Sequence, residues 1–285
     1  MFAGAFMNIK DILNCYGYVK EDLKFQGISS VRIKIMISLS EGPRKTKDLR
    51  ELTGIPSSTL LHGINELEKQ KLISRKGDDF FLSEIGYIST LKLIDMIKTR
   101  ELFKNTKKLW LNHDTEAIPQ NLLIKIGDLS SSNLIEDKPD DMLNTHRTYI
   151  QLVSSSKEIK GFSSIFYPDY TEIFAELLKG NACIELILTK EILEKTIKSL
   201  NSTYLSEFKR LLSEKKLKIW KIKEDIKIAF TVTDNSMILS LFSAEGIYDP
   251  NLILVSNNDD AITWGNKLFN YYLKKCQKID RKYFE

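Results

Sequence analysis

Val31, Ile35, Met36 and Leu39 recur at helical spacing over SSVRIKIMISLSEG (29–42), with Arg32 and Lys34 on other faces. Glu41-Gly42-Pro43 should stop that helix, because glycine suits a helix C-terminus and proline cannot continue one. Thr46 is the expected N-cap of the next helix, with Asp48 in its first turn, Leu49 and Leu52 as its apolar contacts and Gly54 at its end. Pro56 then opens a third helix. Leu60, Ile64 and Leu67 should face the core from it, leaving Ser58, Thr59, His62 and Glu66 on its outer face. Leu72–Lys76 and Phe80–Leu82 flank Gly77-Asp78-Asp79 and predict a hairpin with a polar tip. Helix, helix, turn, helix, hairpin is the order of a winged helix-turn-helix.

Beyond the hairpin, Ile88, Leu91, Leu93, Ile94, Ile97 and Leu102 form a long apolar stripe from the Ser83-x-x-Gly86 start. It predicts a connecting helix to about Phe103. Such a stripe exceeds what a small basic domain needs for its own core; pairing with a second copy would bury it, and packing on the C-terminal domain is the alternative. From about residue 120 the pattern changes. Residues 119–129, 142–156, 170–181 and 203–215 read as helical, and 131–137 as extended. Residues 159–168, 182–190, 216–222 and 252–257 are short β-rich runs, and 225–246 predicts a hairpin around Asp234-Asn235-Ser236. A last amphipathic helix, 260–276, turns Ile262, Leu268, Phe269 and Tyr272 inward. The expected fold class is therefore an α+β winged helix-turn-helix followed by an α/β domain with a mixed sheet. The divisions are 1–83 for DNA binding, 84–112 for a linker or dimerisation helix, and 113–285 for the α/β domain, to which the resemblance given below assigns effector sensing.

Charge sharpens the division. Residues 1–104 hold 17 Lys/Arg against 13 Asp/Glu, whereas 105–285 hold 25 of each, so the whole +4 excess lies in the first part. That asymmetry fits one domain that meets a polyanion and another that does not. Lys45, Thr46, Lys47, Ser57, Ser58, Thr59, His62, Arg75 and Lys76 are the candidate DNA-binding residues. The third helix fits the major groove with its N-terminal side chains toward base edges, while helix N-termini and basic side chains hold phosphates. A winged helix that binds protein instead of DNA would carry the same core, and both readings stand at this point.

Composition excludes other classes. At 42% hydrophobic and 28% charged the chain is that of an ordinary globular protein. No apolar run approaches the ~20 residues of a membrane span, and the first residues lack the pattern of a signal peptide, so a cytoplasmic protein without a membrane partner is expected. Cys15, Cys183 and Cys276 are far apart and have no metal or redox spacing. Neither a metal nor a cofactor is expected.

Two stretches carry a resemblance. Residues 30–86, SVRIKIMISLSEGPRKTKDLRELTGIPSSTLLHGINELEKQKLISRKGDDFFLSEIG, resemble the archaeal ArsR-like winged-helix regulators. Leu61 stands where such helices often carry a small polar residue, and Gly63 where a larger one is common. HDTEAIP, SKEIKGFSSIFYPDYTEIFAELLKGNACIELILT, DIKIAFTVTDNSMILSLFSAEGIYDP and AITWGNKLFNYY resemble the C-terminal domain of archaeal methanogenesis-regulator-type transcription factors. The outline is similar to archaeal sugar-sensing regulators, which implies a phospholipase-D-like α/β effector domain. Together the resemblance covers about 28 to 276 and implies a dimeric transcriptional regulator that binds double-stranded DNA and senses a small molecule.

Phospholipase-D-type catalysis needs a histidine and a lysine two residues apart, and neither His62, His113 nor His146 has lysine at that spacing. A phosphodiesterase-type enzyme is therefore the weaker alternative. For an effector pocket, the candidates at predicted strand ends are Phe166, Tyr167, Asp169, Phe230, Thr233, Phe242, Tyr248 and Asp249.

Overall fold

The computed structural model describes residues 8–167, 170–179, 182–200, 202–280 and 283. The chain divides into two units, 1–97 and 98–285.

The first unit begins with α1 (Ile9–Ile28), which the periodicity did not reveal, and which buries none of its residues. Next come α2 (Ser30–Ser38), β1 (Arg44–Lys45), α3 (Thr46–Thr53), α4 (Ser57–Lys69), β2 (Ile73–Lys76) and β3 (Asp79–Leu82). Helix α3 starts at Thr46 itself rather than being capped by it; the Asp48 carboxylate accepts from the Lys45 N–H at 3.1 Å. Gly54 ends α3 in the left-handed region at φ 67°, the position at which a Cβ is most penalised. Strands β2 and β3 pair around Gly77, with Lys76 opposite Asp79. The two-residue β1, too short for any pattern, adds a third strand on β3.

Ile35, Met36, Leu49, Leu60, Ile64 and Leu67 make a core with Leu72 and Phe80. Two expectations change there. Leu52 is 59% exposed, so Leu49 alone of that pair is buried. Glu66 is not on a free outer face: it accepts from Arg32 at 2.8 Å across α2 and α4. Arg32 also donates to the Phe25 carbonyl and lies over the Phe25 ring, tying α1 to the same cluster. Gly63 has a packing cause. A Cβ there would meet Val31 Cγ1 at 2.8 Å and Ile35 Cδ1 at 3.0 Å, so α2 and α4 approach closely only over glycine.

Helix α5 (Glu84–Asn112) runs through the division and past the expected end at Phe103. It departs from helical geometry at Thr106, whose buried hydroxyl donates to the Leu102 carbonyl and accepts from the Trp110 indole. Back-bonding of this kind bends helices. Of the apolar stripe, Leu93 and Leu102 are buried, Ile94 is half-buried, and Ile88, Leu91 and Ile97 are exposed.

The second unit contains α6 (Gln120–Leu123), β4 (Asn133–Glu136), α7 (Asn144–Ser154), β5 (Glu158–Ser163), α8 (Tyr170–Lys179) and β6 (Cys183–Thr189). It continues with α9 (Lys190–Ser199), α10 (Ser202–Ser213), β7 (Leu217–Ile222), β8 (Ile228–Thr233), β9 (Met237–Leu241), β10 (Leu252–Ser256), α11 (Asp259–Leu273) and β11 (Gln277–Ile279). Helix α9 and strand β11 add to the expected elements. Among the described residues the sheet has the order β11-β7-β6-β5-β8-β9-β10-β4. Strands β5, β6 and β7 are parallel and the other pairings antiparallel, so the sheet is mixed.

Helices cover both faces. On one, Trp264, Leu268, Phe269 and Tyr272 of α11 pack with Leu102, Leu109 and the strand residues Phe162 and Phe230. Ile262, expected inward, is only half-buried, and the fully buried Trp264 takes the central place. On the other face Val153, Leu193 and Leu211 from α7, α9 and α10 meet Ile159, Ile184 and Ile219. This second face holds the cleft.

Candidate nucleic-acid interface and ligand cleft

Three adjacent residues at the start of α4, Ser57, Ser58 and Thr59, are exposed, and His62 stands one turn on with its side chain 76% exposed. Pro56 precedes them and supplies no side-chain cap, and the first turn holds no acidic residue. The opening N–H groups of a helix lack intrahelical partners, so this end offers donors and positive dipole to an anion. The start of α3 differs, because Asp48 already accepts from the Lys45 N–H. Lys45 and Lys47 are exposed there and Thr46 is half-buried.

At the wing, Arg75 and Lys76 are both exposed. Arg75 donates from Nε to the Gly77 carbonyl at 2.7 Å and lies 5.4 Å from the centroid of the Phe80 ring. Asp78 is 3.8 Å from its guanidinium. These contacts fix the direction of an otherwise mobile side chain, which reduces the ordering cost of meeting a phosphate. His62 is 3.6 Å from Glu66, so it shares that carboxylate with Arg32.

The cleft of the second unit encloses about 1320 Å³, counting the part open to solvent. Its floor is the sheet face on which Ile219, Leu186, Gly161, Thr231 and Ile238 lie side by side on β7, β6, β5, β8 and β9. A Cβ on Gly161 would meet Leu186 Cδ2 at 2.9 Å, so glycine keeps this part of the floor low. An aromatic wall rises beside it. The Tyr170 ring stacks on Tyr149 and Tyr167, each 4.9 Å away between centroids, and His146 stacks on Tyr167 at 5.5 Å. Tyr149 shares a hydrogen bond with the Thr231 hydroxyl at 3.3 Å. Burial pushes the Tyr149 phenol up to about 12, and burial likewise raises Tyr248, whose hydrogen bond with Ser240 opposes the shift. Both phenols stay neutral and act as hydrogen-bonding groups.

Of the residues expected at a pocket, Phe166, Tyr167 and Tyr248 line this cleft, whereas Phe230 only borders it, its ring lying on the α11 face against Phe162 and Tyr272. Thr233 instead holds the turn after β8, accepting from the N–H groups of Asn235 and Ser236. Phe242 is buried against the Tyr248 ring. Asp249 lies 3.4 Å from the buried His113 and accepts from the Asn251 N–H. His113 therefore partners Asp249, not its neighbour Asp114. Asp169 lies outside the described residues. Sequence reasoning missed Thr145, His146, Tyr149, Gly161, Tyr170 and Thr231 as lining residues. The repeated aromatics at 167 and 170 and the glycine inside a β-rich run were the available signals.

Among the described residues, no group of three or more His, Cys, Asp and Glu side chains is placed to hold a metal ion. No described helix is long and apolar enough to cross a membrane.

Comparison with known proteins finds two domain families along the chain. Residues 142–275 match the middle domain of the methanogenesis regulatory protein FilR1, and residues 20–101 match its N-terminal domain. The methanogenesis regulatory protein FilR1 of Methanothrix harundinacea (strain 6Ac) is 26% identical over 253 residues, which are 88% of this chain and 56% of that protein. The chain thus spans little more than half the length of the curated relative it matches. Among solved structures, TrmBL2, an archaeal chromatin protein with a novel mode of DNA binding, aligns at a TM-score of 0.41 and 14% identity over 90% of this chain and 98% of its own. The transcriptional repressor BigR from Xylella fastidiosa aligns at 0.29 and 20% identity over 33% of this chain and 97% of its own.

Proposed function

We propose that this chain, which carries the N-terminal and middle domains of the FilR1 methanogenesis regulatory family, is a dimeric transcriptional regulator that binds duplex DNA through α4 and the wing and senses a small-molecule effector in its second unit. The observation that carries the DNA reading is the uncapped, acid-free N-terminus of α4 with Ser57, Ser58, Thr59 and His62 exposed. Helix α4 would enter the major groove, and Arg75 and Lys76 would hold the backbone or minor groove beside it. The second unit would keep a phospholipase-D-like outline without its catalysis, in line with the missing histidine–lysine spacing. Its role is regulation rather than turnover.

The test is fluorescence anisotropy on duplex DNA across a salt series. Arg75→Ala with Lys76→Ala is expected to weaken binding to all sequences alike and to reduce the slope of log affinity against log salt by about 2, because each neutralised phosphate contributes ~0.9. An unchanged slope removes the wing from the interface. Salt-insensitive binding by the unaltered chain would favour the protein-binding winged helix.

The dimer reading rests on exposed apolar side chains along two helices of the first unit: Ile88, Leu91 and Ile97 on α5, and Ile9, Ile12 and Leu23 on α1. Two copies would set their recognition helices at a fixed separation, with half-sites about one turn of DNA apart or a multiple of it. Leu91 is exposed whereas Ile94 is half-buried, so Leu91→Asp tests the interface without disturbing the fold. Leu91→Asp should sediment as a monomer and lose about 100-fold in operator affinity, the scale of bivalent gain. A Leu91→Asp variant that remains dimeric would place the interface elsewhere.

A further inference from the structure

The cleft in the second unit has a chemistry that narrows its occupant. Among its described lining residues there is no Asp, Glu, Lys or Arg. Its lining draws on six adjacent strands, from β7 across β6, β5, β8 and β9 to β10. That is five steps of about 4.8 Å, or roughly 24 Å.

Polarity divides this length. Leu186, Leu188, Leu217 and Ile219 lie on β6 and β7, with Leu211 of α10 among the side chains around them. Toward β8 and β9 lie the hydroxyl pairs Tyr149–Thr231 and Tyr248–Ser240, together with His146. Gly161 on β5 sits between the two ends, where a side chain would block the passage. The Nδ1 atom of His146 is buried and has no hydrogen-bond partner. An orphaned buried polar atom is uncommon in a folded protein and calls for a partner.

We infer that the cleft binds an uncharged, elongated amphipathic molecule, its apolar chain over Leu186 and Ile219 and its hydroxyl or carbonyl end hydrogen-bonded by His146 and the paired hydroxyls. The inference deepens the effector reading above and rests on it. A carboxylate or ammonium would give up its hydration with no charged side chain among the described lining residues to replace it, whereas an alcohol or ketone exchanges one set of hydrogen bonds for another. The decisive comparison belongs where a carboxylate ligand is fully ionised.

The experiment uses the full chain at about pH 8 and the neutral fluorophore N-phenyl-1-naphthylamine, displaced by either 1-dodecanol or dodecanoate below its micelle concentration. Dodecanol should displace the fluorophore at least about tenfold more effectively than dodecanoate. His146→Phe keeps the ring stack but removes the nitrogen, and should weaken dodecanol by about three- to tenfold while leaving the fluorophore bound. Gly161→Leu, checked for folding by circular dichroism, should block both; if it does not fold, the wild-type comparison and His146→Phe decide.

Equal or better displacement by dodecanoate, or none by either compound, overturns the inference. Loss of the fluorophore along with dodecanol in a folded His146→Phe overturns the placement of the polar end. DNA binding is measured on the same sample. Salt-dependent DNA binding without displacement sinks the ligand class alone, and displacement without DNA binding sinks the regulator reading alone.

Discussion

Gly86→Ala should destabilise the winged helix by about 3 kcal/mol, the upper range for forcing atoms into a packed site. A Cβ at Gly86 would fall onto the carbonyl oxygen of Leu72 and within 2.7 Å of its carbon. That carbonyl cannot swing aside. It accepts from the Ser83 N–H at 3.0 Å, and the Ser83 hydroxyl in turn accepts from the Gly86 N–H at 3.1 Å and donates to the Lys71 carbonyl. The start of α5 and the entry to the wing are thus one hydrogen-bonded knot built against a bare Cα. Gly17→Ala in α1 is the control, because nothing lies within 4 Å of its added methyl and alanine favours a helix by about 0.5–1 kcal/mol. Urea unfolding followed by circular dichroism reads both. A Gly86→Ala variant as stable as wild type would mean that the knot can open at no cost.

The largest loss of stability is expected in the second unit, from Trp264→Ala. Trp264 is completely buried in the centre of the α11 face, and its indole N–H donates to the Leu122 carbonyl at 3.0 Å. Removing the ring leaves a cavity and takes one of two hydrogen bonds from the Leu122 carbonyl, which keeps the Lys125 N–H at 3.0 Å; the loss should be about 4 kcal/mol, most of it from the cavity. Trp264→Phe restores most of the volume and none of the hydrogen bond, so it should recover more than half of that loss. Calorimetry of the three proteins separates the contributions. If alanine costs no more than phenylalanine, packing around α11 is looser than its burial implies.

Periodicity and turn chemistry were enough to place α2, α3, α4 and the wing, because each contains a self-sufficient local signal: an apolar face at Leu60, Ile64 and Leu67, or a break at Gly54 or Gly77. The alternation of strands and helices was also enough to foresee a mixed sheet, along with the hairpin turning near Asp234. The exposed residues at the start of α4 were legible for the same reason, since the side opposite an apolar stripe is outer in any context. What periodicity cannot express is which neighbour an apolar side meets. Strand order places Gly161 between Leu186 and Thr231, three residues far apart in the chain, and only that juxtaposition makes a cleft floor. The same limit hid the two-residue β1, which exists because β3 offers it an edge, and the reason for Gly63, which is the distance to Val31 and Ile35. It also misassigned Leu52, Glu66 and Ile262, whose surroundings depend on how neighbouring helices cross. Local sequence determined the elements and their outer faces, because those follow from the 3.6- and 2-residue periods of the backbone itself. The cleft, the lack of charge among its described lining residues and the orphaned His146 nitrogen were decided by tertiary structure, because they arise only where long-range pairing brings separate segments together.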